Sequence, residues 1–423
     1  MSKFTRTAAA AVAAAAVVGA LAGCSSDGGS ADGGDVTLEW GFWDQGSRND
    51  VWKGLAADVT DAEPAISVNL STVPFADYFT KLQSQLAAGT APCIVSMQSL
   101  RLPAFKDALE PIGPLMEKAG FDESEWNPGA LKALQVDGEQ YAVPYGLGTL
   151  VLYYNKDMFA AAGIPEPTND WSIEDFEAAA KTLTEKTGKP GFGESFSDLH
   201  MFSLLLANNG ARPITDGGEL DLTNADMKES FSWYSGLATD QKVALVPASA
   251  SDVPWGEQQF VAGNVGMAVD GTWNIASDAT DATFNVGVVA LPQGANGGGT
   301  YSANSGFAIS KTCEHKEEAA KAIAVLTGEE AQTAAAEGGT SPARLAPEAA
   351  FYEALAATVD TKTPGYSEQA KAVMTASSDM ATPFISTAAW DQTTKLIARE
   401  FILAYTGSTS PDEALEKVQS SSK

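Results

Sequence analysis

The chain has 423 residues, of which 54 are acidic and 26 are basic, and its formal charge at pH 7 is −28. So acidic a surface repels phosphate backbones and anionic lipid headgroups, which argues against nucleic acid as a partner. Hydrophobic residues make up 44% of the chain, as in ordinary globular proteins, and the length suffices for two lobes with separate cores.

The first predicted element is an export signal. Two basic residues precede an Ala- and Val-rich stretch at residues 8–22, which is too short and too rich in alanine to span a membrane stably. Cys24 follows, and together with the three residues before it resembles the lipobox of bacterial lipoproteins, in which the cysteine receives a diacylglyceryl group. We therefore predict a signal peptide over residues 1–23, lipidation at Cys24 and a flexible tether over residues 24–35. An ordinary signal peptide with a chance cysteine is the alternative.

The next stretch alternates predicted strands and helices. Val36, Leu38 and Trp40 alternate with polar residues, which predicts a strand. The predicted elements that follow are a loop at 41–46, a helix at 51–59, a strand at 66–70, a helix at 78–88 that ends at Gly89, and a strand at 94–97. Alternation of this kind is typical of an α/β fold with a mainly parallel sheet flanked by helices.

The pattern continues toward the C-terminus. The predicted elements are a strand at 147–154, a helix at 173–187, a strand at 266–269 with a loop at 270–273, strands at 286–291 and 307–309, and a helical C-terminal part. Ser172 and Asp175 have the spacing of a helix capping pair. Because no long linker separates two independent halves, we expect lobes that share the chain in alternating segments.

The remaining cysteines and the two histidines do not indicate a catalytic or metal-binding site. Cys93 and Cys313 could form a disulfide in an oxidising compartment, and two free buried thiols are the alternative. His200 and His315 are the histidines of the sequence, and no residues have the spacing of a metal site, a nucleophile–His–acid triad or a glycine-rich phosphate loop. We therefore expect no metal, no cofactor and no enzymatic activity.

Several segments together carry a family resemblance. They are residues 78–92, 154–165, 260–273, 291–292 and 306–310. In this order they resemble the carbohydrate-type extracellular solute-binding proteins of bacterial ABC importers, the family of maltose-binding protein. The chain departs from the family pattern at Cys93, where Asp is usual, and at Asn304 and Ser305, where a glycine pair is common. Substrate identity therefore does not transfer from any one relative.

The resemblance implies a two-lobe periplasmic-binding-protein-like fold (type II), in which each lobe is a mainly parallel sheet flanked by helices. Lobe 1 would comprise residues 36–145 and 285–344, and lobe 2 residues 146–284 and 345–423, with hinges near 145, 285 and 345. The implied partners are a carbohydrate ligand and the permease subunits of an ABC transporter. Several available aromatic residues favour an oligosaccharide as that ligand. We expect a monomer anchored through Cys24 to the outer face of the cell membrane of a Gram-positive bacterium.

A sugar site needs flat aromatic faces for C–H groups and planar polar side chains for hydroxyls. Such side chains occur in predicted loops and at positions that the resemblance places in the cleft. The candidate ligand-contacting residues are Trp43, Asp44, Gln45, Gln98, Ser99, Tyr145, Asp270, Trp273, Asn304, Ser305, Arg344 and Trp390. Trp273 is the strongest candidate because it follows a predicted strand and a glycine.

Three alternatives remain open at this point. The same fold could bind a polyamine, a polyol or a metal chelate. A secreted glycoside hydrolase would need two carboxylates on either side of the scissile bond. A surface lipoprotein with a purely structural role would bind no ligand.

Overall fold

The computed structural model describes residues 35–43, 45–249 and 255–422. The predicted signal peptide, Cys24 and Asp44 lie outside the described residues. In chain order the strands are β1 (Val36–Trp43), β2 (Ile66–Val73), β3 (Ile94–Gln98), β4 (Gln135–Val136), β5 (Glu139–Gln140), β6 (Ala142–Gly146), β7 (Leu150–Asn155), β8 (Phe192–Gly193), β9 (Ala244–Leu245), β10 (Met267–Gly271), β11 (Val286–Val289), β12 (Thr300–Ser302), β13 (Ser305–Ile309) and β14 (Ala381–Pro383).

The α-helices of the same residues are α1 (Asn49–Ala62), α2 (Phe75–Ala88), α3 (Leu102–Phe105), α4 (Gly113–Lys118), α5 (Pro128–Ala133), α6 (Lys156–Ala162), α7 (Ile173–Thr187), α8 (Asp198–Asn209), α9 (Ala225–Thr239), α10 (Trp255–Val261), α11 (Ile275–Asp281), α12 (Lys316–Leu326), α13 (Glu329–Glu337), α14 (Glu348–Thr358), α15 (Tyr366–Asp379), α16 (Trp390–Tyr405) and α17 (Pro411–Ser421). Within these ranges, none of the helices combines the length and the apolar character needed to cross a bilayer.

Local sequence signals begin and end helices where they were predicted. The hydroxyl of Ser172 accepts a hydrogen bond from the Asp175 N–H, and the Asp175 carboxylate accepts one from the Ser172 N–H, which is the predicted capping box of α7. Gly89 ends α2 in the left-handed conformation with φ 71°, which glycine adopts without a steric penalty.

The first sheet has the strand order β2-β1-β3-β13-β6. β1 is parallel to β2 and β3, and β13 is antiparallel to β3 and β6. The prediction of a loop from residue 41 is wrong for Gly41, Phe42 and Trp43, which complete β1. They pair with residues 71–73 of β2, and this pairing satisfies their backbone groups while both aromatic side chains become buried.

The second sheet has the strand order β11-β7-β10-β8-β9. β8 is parallel to β9 and β10, whereas β7 is antiparallel to β10 and β11. Among the strands of these two sheets, four of five in each run in the same direction, so each sheet is mainly parallel, as predicted, with one reversed strand. The reversed strands β7 and β13 are those that enter their sheet directly from the other lobe, so they start at the edge where the other strands end.

β11 belongs to the second sheet. Val286 and Val289 pair with Asn155 and Leu152 of β7, although the sequence analysis places residue 285 onward in lobe 1. A short apolar strand carries no signal that distinguishes one sheet from the other, because its partner is set by contacts far away in the chain. The chain returns to the first sheet only at β13.

Three segments connect the two lobes, and they lie side by side. These segments are residues 147–149, 303–304 and 338–347. The Leu147 N–H donates to the Ser341 carbonyl at 3.1 Å, and the Ala303 N–H donates to the Gly148 carbonyl at 2.8 Å. The buried Gln332 side chain accepts hydrogen bonds at 2.9 Å from the N–H groups of residues 343 and 344. Hydrogen bonds thus join the three connecting segments into one layer between the lobes, which we call the floor.

Each sheet is the centre of its own core. In the first lobe five buried aromatic rings lie together, namely Trp40, Phe42, Trp52, Tyr145 and Phe307. Tyr145 stacks on Phe307 with centroids 4.5 Å apart, and Trp40 meets Phe307 edge to face at 4.9 Å. Rings of this size bury much apolar area and contribute strongly to stability.

A disulfide connects Cys93 and Cys313 in the first lobe. Cys93 directly precedes β3, and Cys313 follows β13, the antiparallel neighbour of β3. The Ser310 N–H also donates to the Cys93 carbonyl at 3.0 Å. The bond therefore joins two strands that are already paired but are far apart in the chain.

Replacing both Cys93 and Cys313 by Ser should lower the free energy of unfolding by about 2–5 kcal/mol, because the disulfide closes a long loop in the unfolded chain. Urea and thermal unfolding measure the loss. A reducing agent should lower the Tm of the unsubstituted protein and leave that of the double variant unchanged. Equal Tm values for the two proteins without reductant would contradict the expected contribution.

Candidate functional site

The candidate site lies where strands of both sheets end. β1, β3 and β6 end at one edge of the first sheet, and β13 begins there. β10 ends and β7 begins at one edge of the second sheet. Because only residues 147–149 separate β6 from β7, the two edges adjoin across the floor of connections. Ligands of α/β proteins typically bind at such carboxyl-terminal edges.

Trp273 lies at this edge of the second sheet. It is half-buried in the short 3-10 helix Thr272–Asn274 that follows β10. A Cβ added at Gly148 would stand 2.6 Å from Trp273 Cε3, and one added at Gly271 would stand 2.2 Å from the same ring. Both glycines therefore leave space for the indole, and Trp273 rests directly on the first connection between the lobes.

Two buried aromatic residues near the ends of β1 and β6, Trp43 and Tyr145, form what we call the aromatic wall of the first lobe. Trp43 is 7% exposed, and its ring centroid lies 6.3 Å from that of Tyr145. Burial raises the pKa of Tyr145 well above its ordinary value, so the hydroxyl stays neutral. Arg48 lies near Tyr145 and donates from Nη1 to the Trp273 carbonyl at 2.8 Å. Arg48 thus connects the aromatic wall of one lobe with the tryptophan of the other.

Arg101 makes a second connection between the lobes. Its Nε donates to Asp391 Oδ1 at 3.1 Å, and its Nη1 donates to Gln98 Oε1 at 2.7 Å. The guanidinium also lies 3.9 Å from Asp198 Oδ2 and 4.7 Å from the centroid of the Phe79 ring. Only 13% of the side chain is exposed, so these interactions are stronger than those of a surface ion pair.

Trp390 does not present a face to the cleft in this structure. It is 1% exposed, lies against Phe202 and Phe384, and donates from Nε1 to Asp198 Oδ2 at 2.8 Å. The residue begins α16, and its ring points into the core of the second lobe. Trp390 is linked to the site indirectly, because its hydrogen-bond partner Asp198 also lies 3.9 Å from the Arg101 guanidinium.

The predicted polar residues divide into two groups. Ser99 and Asn304 bind each other, since the Ser99 N–H donates to the Asn304 carbonyl at 2.9 Å and the Asn304 N–H donates to Ser99 Oγ at 3.1 Å. Gln45 and Ser305 are half-buried at the edge of the first sheet, and Gln45 Oε1 accepts a hydrogen bond from Trp52 Nε1 at 3.3 Å. Ser99 and Asn304 therefore stabilise the backbone where they lie. Gln45 and Ser305 are partly exposed to solvent.

Arg344 lies on the third connection. Its Nη1 donates to Glu125 Oε2 at 2.6 Å, its Nε donates to the Thr327 carbonyl at 2.9 Å, and its guanidinium covers the Trp126 ring at 4.8 Å. It also lines a cavity of about 200 Å³ that reaches residues 147–149. Two of its five N–H donors are thus engaged in holding the connection to the first lobe.

A cluster of buried charged groups lies beneath Trp273. Asp270 accepts hydrogen bonds from His200 Nε2 at 3.0 Å, from Asn274 Nδ2 at 3.0 Å and from the Gly271 N–H at 2.6 Å. Asp270 was a predicted site residue, but Glu257 and His200 were missed because both lie within helices, where the sequence pattern does not show which side chains meet.

The electrostatics of the cluster follow from burial and close charges. Burial alone would lower the pKa of His200, but the carboxylates of Glu257, Asp270 and Asp198 raise it to about 9. Burial raises the pKa of Glu257 to about 7 although His200 opposes the shift. Burial would also raise the pKa of Asp270, but its hydrogen bond with His200 lowers it. At neutral pH the His200–Asp270 pair is therefore ionised.

The similarity of the chain to a known family indicates what kind of protein carries this cleft. The model of the family described as bacterial extracellular solute-binding protein matches residues 45–333, which is more than half of the chain. The chain belongs to this family.

Individual relatives are distant. This solute-binding protein is 26% identical over 279 residues to a binding protein of Brucella abortus (strain 2308), a match that covers 62% of this chain and 65% of that protein, so it spans less than two thirds of that relative. It is 25% identical over 304 residues to the lactose-binding protein of Rhizobium radiobacter, with 69% of each chain covered. The structure of an ABC substrate-binding protein from Listeria monocytogenes in complex with cycloalternan superimposes with a TM-score of 0.79 at 25% identity and covers 91% of this chain and 97% of that one.

Sequence reasoning named aromatic candidates at this edge of the sheets but missed two charged residues that join the lobes there. Arg48 and Arg101 were missed, although each follows closely on a segment that was predicted to line the cleft. The polar residues after β3 were a usable signal for Arg101, but its partner Asp391 lies 290 residues away. A pattern within one segment does not reveal such a pair.

Replacing Arg101 by Met should lower the free energy of unfolding by about 1–3 kcal/mol, because it leaves two partly buried carboxylates without their partner while the aliphatic stem still covers Phe79. The radius of gyration from small-angle X-ray scattering should rise as the connection between the lobes is lost. Lys53→Met is the control, since Lys53 pairs with Asp50 on an open surface and contributes at most about 0.5 kcal/mol. Equal effects of the two substitutions would contradict a bridging role for Arg101.

Proposed function

We propose that this solute-binding protein captures a carbohydrate, in particular an oligosaccharide, between its lobes and delivers it to the permease subunits of an ABC importer. The observation that carries the proposal is the half-buried indole of Trp273 at the cleft edge of β10. A flat apolar ring of this kind replaces water over the C–H face of a sugar. The names of the lactose-binding relative and of the cycloalternan complex support the same class of ligand.

Side chains of both lobes would contact the sugar. Trp43 and Tyr145 would supply aromatic surface opposite Trp273, and the half-buried Gln45, Gln98 and Ser305 would bind hydroxyl groups. Each hydroxyl that leaves water needs such a partner, since an unpaired one lowers affinity. Asp44, which the structure does not describe, keeps its place in this set as a prediction from the sequence alone.

A second group of predicted residues would position the site without touching the ligand. These residues are Ser99, Asn304, Arg344, Asp270 and Trp390, whose polar atoms are engaged by neighbouring residues. They hold the connections, the turn that carries Trp273 and the carboxylate of Asp198. This division revises the sequence-based proposal, in which all of them contact the sugar.

Lobe 1 would comprise residues 36–146 and 305–337, and lobe 2 residues 150–302 and 348–422. This proposal shifts the middle hinge from residue 285 to residues 303–304, because β11 pairs with β7. Ligand that contacts both lobes would favour their closed arrangement over an open one, and the closed form would dock on the permease. No bond of the ligand would be broken.

The protein would act as a monomer outside the cell, held to the outer face of a Gram-positive cell membrane through lipid on Cys24. The lipobox-like residues before Cys24 and the family description as extracellular support this location. Mass spectrometry of protein from the membrane fraction should show a mature N-terminus at Cys24 with a diacylglyceryl group, and Cys24→Ala should move the protein to the medium. A mature N-terminus at any other residue would contradict the anchor.

Tryptophan fluorescence and calorimetry with a panel of mono-, di- and oligosaccharides test the ligand class. We expect one sugar bound per chain, with an oligosaccharide tighter than its monosaccharide unit. Trp273→Ala should weaken binding of that sugar by about 1–3 kcal/mol, since the stacking surface is lost.

Trp233→Ala serves as the matched control, because Trp233 is also half-buried but donates to Glu177 on the helical side of the second lobe. It should leave the affinity unchanged. A response to polyamines, polyols or metal chelates alone would exclude a carbohydrate ligand. Unchanged affinity of Trp273→Ala together with a lower Tm would make Trp273 a core residue.

A further inference from the structure

Three buried side chains converge in the second lobe beneath Trp273, and the proposed sugar site accounts for Asp270 but not for His200 and Glu257. His200 Nε2 lies 3.0 Å from Asp270 Oδ1 and 3.6 Å from Glu257 Oε1. One ligand-type atom from each residue lies within 4.8 Å of the others. The exposed fractions of His200, Glu257 and Asp270 are 7%, 5% and 1%.

Glu257 is aimed into this cluster without a hydrogen bond. Neither of its carboxylate oxygens has a hydrogen-bond partner among the residues that the structure describes, because His200 Nε2 forms its hydrogen bond with Asp270 instead. A buried carboxylate that lacks hydrogen bonds is costly and calls for a partner of opposite charge. The nearest group of opposite charge is the His200 imidazole, 3.6 Å from Glu257 Oε1, and His200 Nε2 also binds Asp270, so two buried carboxylates converge on one imidazole nitrogen.

We propose that His200, Glu257 and Asp270 bind one divalent transition-metal ion of the Zn²⁺ type. In a tetrahedral zinc site with bonds of about 2.0–2.1 Å, ligand atoms stand about 3.3 Å apart, close to the 3.0 and 3.6 Å found here. An imidazole nitrogen in the set favours zinc and similar ions over Ca²⁺ and Mg²⁺, which prefer oxygen ligands throughout. The two carboxylates balance the charge of the ion, and the ion replaces the proton between His200 and Asp270.

The surroundings of Asp270 fit this assignment. Asp270 Oδ2, on the far side of its carboxylate, accepts from Asn274 Nδ2 at 3.0 Å, and such second contacts orient metal ligands. Asn274 follows Trp273 directly, and the His200 ring meets the Trp273 ring edge to face at 6.1 Å. A bound ion would therefore hold the turn that presents Trp273 to the cleft.

Calorimetric titration of Zn²⁺ into untagged, chelator-treated protein tests the site independently of any sugar. We expect one Zn²⁺ per chain and a higher Tm, with weaker binding of Ca²⁺ and Mg²⁺. Anomalous diffraction at the zinc edge should place the ion within bonding distance of all three residues. Absence of stoichiometric Zn²⁺ binding, preference for Ca²⁺ or Mg²⁺, or an ion bound elsewhere would overturn the proposal.

Glu257→Gln should weaken Zn²⁺ binding by about 100-fold or more, since it removes a charged ligand without changing the shape of the side chain. Glu194→Gln is the matched control, because Glu194 is fully buried and also lacks hydrogen bonds from the described residues, but it is not one of the three ligands. It should retain Zn²⁺. Unchanged affinity of Glu257→Gln would assign the binding to other carboxylates. The diffraction experiment needs no substitution and decides the question if a variant fails to fold.

Discussion

The hydrogen-bonded floor of three connecting segments is the constraint on which the rest of the structure depends. Leu147 binds Ser341 and Ala303 binds Gly148 through backbone groups, and Gln332 holds the third segment by its side chain. The floor fixes the edges of both sheets next to each other. Because backbone hydrogen bonds between buried segments leave few alternative arrangements, the relative placement of all cleft residues follows from this contact.

Trp273 is the clearest consequence of that constraint. Its ring occupies space that Gly148 and Gly271 leave open by having no side chain, so the first connection acts as the base on which the indole rests. Arg48 reaches from the other lobe to the carbonyl of the same residue. The tryptophan is thereby held by both lobes at once, and any change in their arrangement changes its surroundings. This coupling is what a protein that closes around its ligand requires.

Charge is used differently in the two lobes. The first lobe directs Arg48 and Arg101 toward the cleft, where each binds groups of the second lobe. The second lobe concentrates carboxylates near the cleft, some of them buried around His200. Buried ionised groups carry a large desolvation penalty unless they are paired, so the two sets stabilise one another best when the lobes are together. Beneath Trp273, the carboxylates of Glu257 and Asp270 share the imidazole of His200.

The sequence by itself determined the features that depend on neighbours a few residues apart. The alternation of strands and helices, the capping box at Ser172 and the stop at Gly89 were all predicted correctly, and so was the place of Trp273 after β10. These features follow from local periodicity and backbone preference. The family motifs led to the two-lobe fold because they preserve the same local signals in the same order.

Only the tertiary structure decided which elements and side chains meet. β11 joined the second sheet, Trp43 completed a strand, and Trp390 turned into the core. Arg101 pairs with Asp391, which is 290 residues away in the chain, and His200 pairs with Asp270, which is 70 residues away. The physical reason is that burial, ion pairing and strand partnership depend on groups that approach in space, and a one-dimensional pattern contains no distance between segments far apart in the chain.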